Sequence, residues 1–110
     1  MAKTPEGIFT EKVIKYLKSL DKCWYYKVFG GGMFQRSGIP DIIGCYNGMF
    51  FALELKAENG KPSELQLYNL DKINKAGGYG VLLYPSQFEE FKEDFEDVCK
   101  KSKQKISRKS

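Results

Sequence analysis

The segment Gly38-Ile39-Pro40-Asp41-Ile42-Ile43-Gly44-Cys45-Tyr46-Asn47-Gly48-Met49-Phe50-Phe51-Ala52-Leu53-Glu54-Leu55-Lys56 decides how this chain folds. Two apolar runs flank Asn47-Gly48, a dipeptide suited to the tight turn of a β-hairpin. The spacing predicts strands at about Asp41–Tyr46 and Met49–Lys56. Glu54 and Lys56 are two residues apart, so on a strand both side chains leave the same face. Asp41 opens the first run, and closing the hairpin brings two carboxylates and one ammonium to one end of a sheet. Paired carboxylates make a site for a hard cation, and a lysine beside them can hold a phosphate or a water. The chemistry suggested is metal-dependent phosphodiester cleavage. A blander reading makes Asp41 a turn residue and Glu54–Lys56 an exposed ion pair. It accounts for the alternating charge, but not for an aspartate placed across the hairpin from it.

Outward from the hairpin the chain reads as one α/β unit. Thr4-Pro5-Glu6 is a helix start, a capping hydroxyl followed by proline at the first helical position. Phe9, Val13, Tyr16, Leu17 and Leu20 then recur at helical spacing. Cys23 to Phe29 is rich in aromatic and β-branched residues and predicts a strand. Its Trp24-Tyr25-Tyr26 run is expected to be mostly core, with a base-stacking platform as the alternative. Gly30-Gly31-Gly32 ends that strand and lacks the following Lys-Ser/Thr of a phosphate-binding loop; it reads as a hinge that lets Phe34 and Arg36 approach a polyanion. Arg36 and Lys27 are candidates for backbone phosphate contacts, with plain surface charge the simpler reading of Lys27.

Ser63-Glu64-Leu65-Gln66 is a capping-box pattern opening a helix that runs to about Ala76. Gly77-Gly78 ends it, and Tyr79–Tyr84 is an apolar strand. Ser86-Gln87-Phe88-Glu89 reads as a second capping box, before a helix with Phe88, Phe91, Phe95 and Val98 on one side. The order α-β-β-β-α-β-α predicts a small mixed sheet flanked by helices, with a right-handed crossover after the hairpin.

Composition narrows the chemistry. The 110 residues suit a single domain, and 42% hydrophobic with 15% aromatic residues indicates a globular one. Histidine is absent, which removes Ser-His and Cys-His nucleophile pairs and histidine-ligated metals. Oxygen ligands then favour magnesium, manganese or calcium over zinc or copper. Cys23, Cys45 and Cys99 are far apart, as reduced cysteines in a cytoplasmic protein would be. No apolar stretch is long enough to cross a bilayer and no signal-peptide core is visible, so no membrane partner and a cytoplasmic location are expected.

The domain is expected over residues 1–99, followed by a basic tail at 100–110. That tail holds Lys100, Lys101, Lys103, Lys105, Arg108 and Lys109 and no acidic residue. Six of the 18 basic residues fall there, which leaves 12 against 14 acidic in the body. The tail reads either as an arm following a polyanion, through Lys100, Lys101 and Lys103 among others, or as a solvated terminus.

Over roughly residues 5–90, this order and these motifs resemble the PD-(D/E)xK nuclease superfamily, and within it the VRR-NUC family. The matching residues are Glu11, Gly38-Ile39-Pro40-Asp41, Glu54-Leu55-Lys56 thirteen positions beyond Asp41, and Gln66 on the following helix. Archaeal-type Holliday junction resolvases share the skeleton. The resemblance implies a restriction-endonuclease-like core and a Mg2+-dependent endonuclease, with Mn2+ able to substitute. The substrate would be DNA, in branched replication and repair intermediates such as Holliday junctions or flaps. It also implies a homodimer matched to two-fold junctions, from a bacterial or phage-infected cell.

The metal ligands it implies are Asp41, Glu54 and the carbonyl of Leu55, with Lys56 orienting water and offsetting transition-state charge. Glu11 would hold a second ion or a bound water, or be one more exposed charge on its helix. Gln66 is either the capping partner of Ser63 or a group that bonds phosphate or orients Lys56; one side chain is not expected to do both. A different class of reading is an inert nucleic-acid-binding accessory protein, indifferent to metal.

Overall fold

The structure, a computed structural model, describes residues 3–29 and 38–105, with side chains as far as Lys101. The hinge Gly30–Gly32, Phe34 and Arg36 lie outside the described residues, as does the side chain of Lys103. The elements are α1 (Pro5–Ser19), β1 (Cys23–Lys27), β2 (Ile42–Tyr46), β3 (Met49–Leu55), α2 (Glu64–Lys75), β4 (Tyr79–Leu83), a 3-10 turn (Pro85–Gln87) and α3 (Phe88–Lys105). This is the mixed α/β architecture the pattern predicts. The strands end one or two residues short of these expectations, although single hydrogen bonds from Val28 N to Asp41 O and from Lys56 N to Leu83 O continue past the regular ladders.

The sheet order is β1-β2-β3-β4. The first three strands form an antiparallel meander, and β4 joins β3 in parallel after α2 crosses over. Asn47 and Gly48 turn the β2–β3 hairpin with φ of 52° and 85°, both left-handed as a two-residue hairpin turn requires.

One face of the sheet carries the main core. Phe9, Val13 and Leu17 of α1 and Phe88, Phe91, Phe95 and Cys99 of α3 pack on Ile42, Tyr46, Phe51, Leu53, Leu55 and Leu83. Phe95 is fully buried, its ring 5.0 Å from those of Tyr46, Phe51 and Phe91. Cys99 takes the buried position expected to continue toward Val98.

The opposite face is covered by α2 only over β3 and β4, where Ile73 lies against Gly78 and Gly80. This partial cover overturns the expectation that Trp24 and Tyr26 are core. Tyr25 points into the core, but Trp24 and Tyr26 are 62% and 49% exposed, with rings stacked 6.5 Å apart. Their strand is a sheet edge, and among the described residues nothing covers its outer side.

Two features lie near the chain's last helix, the first of them a departure from expectation. The Ser86 capping box does not form: Tyr84 starts the 3-10 turn without a side-chain cap, and Ser86 instead donates through N and Oγ to the Glu58 carboxylate. And α3 runs through Lys105, so the basic segment begins inside a helix. There Lys100 pairs with Glu96 at 3.7 Å and Lys101 with Asp97 at 3.1 Å, the i,i+4 pairing that extends a helix.

Candidate active site

The hairpin register assembles the site. Ile42 pairs with Leu53, so Asp41, one residue outside β2, stands opposite Glu54 at the end of β3. Both carboxylates and Lys56 belong to the face that α2 covers. Gly38, at φ 87°, brings the chain into this position. A Cβ there would lie 2.5 Å from Leu65 Cγ, so only glycine lets the segment seat against α2. Asn69 Nδ2 then donates to the Gly38 carbonyl at 2.7 Å. Asn69 was not singled out in the sequence; its place three residues after Gln66, on the same helical face, is the signal that could have found it.

Asp41 is held at both ends. Its carbonyl accepts from Val28 N at 2.8 Å, and its Oδ2 accepts from Leu55 N at 2.8 Å. Leu55 therefore contributes its amide to orienting an acidic side chain.

Glu54 is 2% exposed, the one buried charged residue among those described. Its Oε2 accepts from Gln66 Nε2 at 2.9 Å and lies 3.5 Å from Lys56 Nζ. Its Oε1 is buried with no hydrogen-bond partner. Burial and the neighbouring Asp41 carboxylate push its pKa up to about 7, against a smaller opposing pull from Lys56. The ion pair and the raised pKa point in opposite directions. At 3.5 Å a single ammonium does not offset the loss of water together with a second carboxylate.

Gln66 departs from expectation by filling both roles. Its Oε1 accepts from Ser63 N at 2.8 Å, and its backbone N donates to Ser63 Oγ at 3.1 Å, completing the capping box. Its Nε2 is left over for Glu54. A primary amide has separate donor and acceptor ends, and α2 starts where the two point in different directions.

Glu11 is not brought into this cluster. Its carboxylate, 61% exposed, pairs with Lys3 at 2.9 Å. Among the described residues no three acidic, Cys or His side chains converge on a metal position. Exposed positions on α1 keep their charges in water, whereas the hairpin end and the start of α2 supply the side chains that meet at the site.

An orphaned buried carboxylate oxygen costs free energy unless a proton or a cation satisfies it. Asp41 and Glu54 offer hard oxygen donors beside it, and the Leu55 backbone adjoins them. The residues therefore fit a hard divalent cation.

No protein-family profile matches the sequence. The Holliday junction resolvase RecU of Mycoplasmopsis pulmonis (strain UAB CTIP) is 30% identical over 132 aligned residues, spanning 100% of this chain and 79% of the relative. A solved VRR_NUC domain superposes with a TM-score of 0.66 at 26% identity, covering 83% of this chain and 97% of that one. The carboxylate pair with a lysine beside it, set on this sheet and joined to these two likenesses, places the chain in the VRR-NUC family of PD-(D/E)xK nucleases.

Proposed function

We propose that the protein is a divalent-metal-dependent endonuclease that hydrolyses phosphodiester bonds in branched DNA, four-way junctions foremost. The carrying observation is Glu54, buried opposite Asp41 with Oε1 unpartnered and Lys56 alongside. The name of the 30% identical relative, a Holliday junction resolvase, supports the choice of substrate.

Asp41, Glu54 and the Leu55 carbonyl would hold Mg2+, or Mn2+ in its place. Bound there, the ion supplies Lewis-acid polarisation of the scissile phosphate and eases ionisation of a water. The protein's own part is positional and electrostatic. Leu55 N fixes Asp41, and Gln66 fixes Glu54, so both carboxylates are preorganised before substrate arrives. Lys56 carries the positive charge that offsets negative charge building on the phosphate oxygens in the transition state. Its 17% side-chain exposure keeps that charge poorly screened. Lys100 and Lys101, on the exposed end of α3, would contact backbone phosphates, as would Arg36 and Lys103. Their pairs with Glu96 and Asp97 are exposed, weak and readily exchanged for a polyanion.

We further propose a homodimer paired through the uncovered half of the sheet. Trp24, Tyr26, Ile43, Cys45 and Phe50 share that face by register and parity, and none carries a charge. An uncharged aromatic patch suits a second copy better than a phosphate backbone. No described helix is long and apolar enough to cross a membrane. A DNA substrate would suit the cytoplasmic location expected from the sequence.

The test is incubation with labelled four-way junction, flap and linear duplex, in Mg2+ or in EDTA. Cleavage of branched DNA in Mg2+ alone is expected. Binding without cutting in either Mg2+ or Mn2+ would leave an inert accessory protein instead. Sedimentation of the free protein should give a dimer, and Trp24→Asp, at a surface position, should shift it to monomer at micromolar concentration. A variant that sediments like the parent would remove this face from the interface.

A further inference from the structure

We infer that Tyr84 and Glu58 are positioning residues for Lys56, acting through a turn clipped over its side chain. Lys56 N extends the β3–β4 pairing by donating to Leu83 O at 3.1 Å. The chain then turns at once, Gly60 N donating to Ala57 O at 2.8 Å. That turn folds back on the lysine: a Cβ at Gly60 would lie 3.3 Å from both Cβ and Cδ of Lys56. Two contacts from the corner after β4 hold it down. Tyr84 Oη donates to Gly60 O at 2.9 Å, and Ser86 donates through N and Oγ to the Glu58 carboxylate.

The consequence lies in how a lysine is held. Four rotatable bonds give its ammonium a wide sweep, and the ion pair at 3.5 Å is too long to fix it alone. Packing along the stem restricts the sweep instead, leaving Nζ aimed at Glu54 Oε2. The clip comes from the corner after the next strand, so Tyr84 and Ser86 act on Lys56 through the turn at Gly60 and Glu58. The inference builds on the nuclease reading for its effect on rate, but the restriction of Lys56 is measurable without any activity.

The experiment uses Tyr84→Phe, which keeps the ring and removes one hydrogen bond, beside Glu58→Gln. The first readout is reductive methylation of the metal-free protein with formaldehyde and borohydride, followed lysine by lysine by peptide mass spectrometry. Both variants should methylate Lys56 roughly 3–10 times faster than the parent, with Lys12, Lys72 and Lys92 unchanged, as release of one restrained side chain requires. The second readout is steady-state cleavage in Mg2+. A misaimed ammonium should lower kcat about tenfold and leave KM for DNA within about twofold, since misplacement acts on the transition state.

Unchanged methylation of Lys56 in both variants would overturn the inference, as would faster methylation at all lysines, which reports general loosening. A fall in kcat with unchanged Lys56 reactivity would overturn it too. If the parent has no nuclease activity, selective methylation of Lys56 in the variants still upholds the clip while the functional proposal fails.

Discussion

Glu54→Gln should abolish cleavage, by at least about 1000-fold, while raising the melting temperature of the metal-free protein at pH 8. The two effects have one source. In the unfolded chain this carboxyl titrates at its ordinary value of 4.5, and folding pushes it up to about 7. Between those values the folded state keeps a proton that the unfolded chain has released. Stability contributed by this group therefore falls as pH rises through that window, by up to roughly 1.4 kcal/mol per pH unit, and levels off above it.

The glutamine amide never ionises, so it escapes that loss. Its oxygen can still accept from Gln66, while its amide nitrogen offers no charge to Lys56 and no anionic ligand to a cation. Melts in EDTA at pH 5 and pH 8 make the comparison. The parent should lose several degrees relative to the variant on going to pH 8. Mg2+ should then stabilise the parent and leave the variant unmoved, because ligand binding raises stability only where the ligand binds. At Mg2+ well below saturation, parent cleavage should climb by up to about tenfold per pH unit below pH 7 and flatten above it, because the cation competes with one proton for Glu54. A variant melting below the parent at pH 8 would mean that Lys56 stabilises the ionised carboxylate more than Asp41 and burial destabilise it.

The parts of this site that were legible in the sequence are those fixed by short-range geometry. Asn47-Gly48 dictates a left-handed turn, and the turn dictates the register that sets Asp41 across from Glu54. Parity along β3 then puts Lys56 on the same face. Ser63 and Gln66 cap α2 through contacts only three residues apart. What stayed hidden depends on how elements dock. Trp24 and Tyr26 have the composition of core residues, and only the sheet order, with β1 at an edge and α2 displaced toward β4, exposes them.

Ser86 carries a capping signature that Glu58, a residue from another loop, outcompetes with a charge-assisted bond. Glu11 fits the family motif and the amphipathic helix equally well, and its exposed pairing with Lys3 is a contact that the sequence pattern does not signal. The hold of Tyr84 on Gly60 has no local signature, since a tyrosine hydroxyl reaching a carbonyl 24 residues away is a tertiary event.

Gln66 shows where local and tertiary demands meet in one amide, and Gln66→Glu separates them. A carboxylate oxygen still accepts from Ser63 N, so the capping box and the start of α2 survive. The other oxygen replaces the Nε2 that sits 2.9 Å from Glu54 Oε2, turning a hydrogen bond into a contact between two acceptors. Glu54 then has Lys56 as its one remaining polar partner and faces like charge from two sides. Its affinity for a proton rises further, and the ionised form that a cation requires appears only at higher pH.

At the same low Mg2+, cleavage at pH 7 should fall about 50-fold, and about half of it should return by pH 9, with the half-maximal pH displaced upward by about two units. Helix content by circular dichroism should match the parent. Gln66→Leu is the control, because it removes the side-chain acceptor for Ser63 N and the donor to Glu54 together, while the bond from the residue 66 backbone N to Ser63 Oγ stays. It should cost about 1 kcal/mol through the lost hydrogen bond and leave a rate that higher pH does not restore to parent levels. A Gln66→Glu variant with lowered activity and an unshifted pH profile would show that the amide acts on the substrate and not on Glu54.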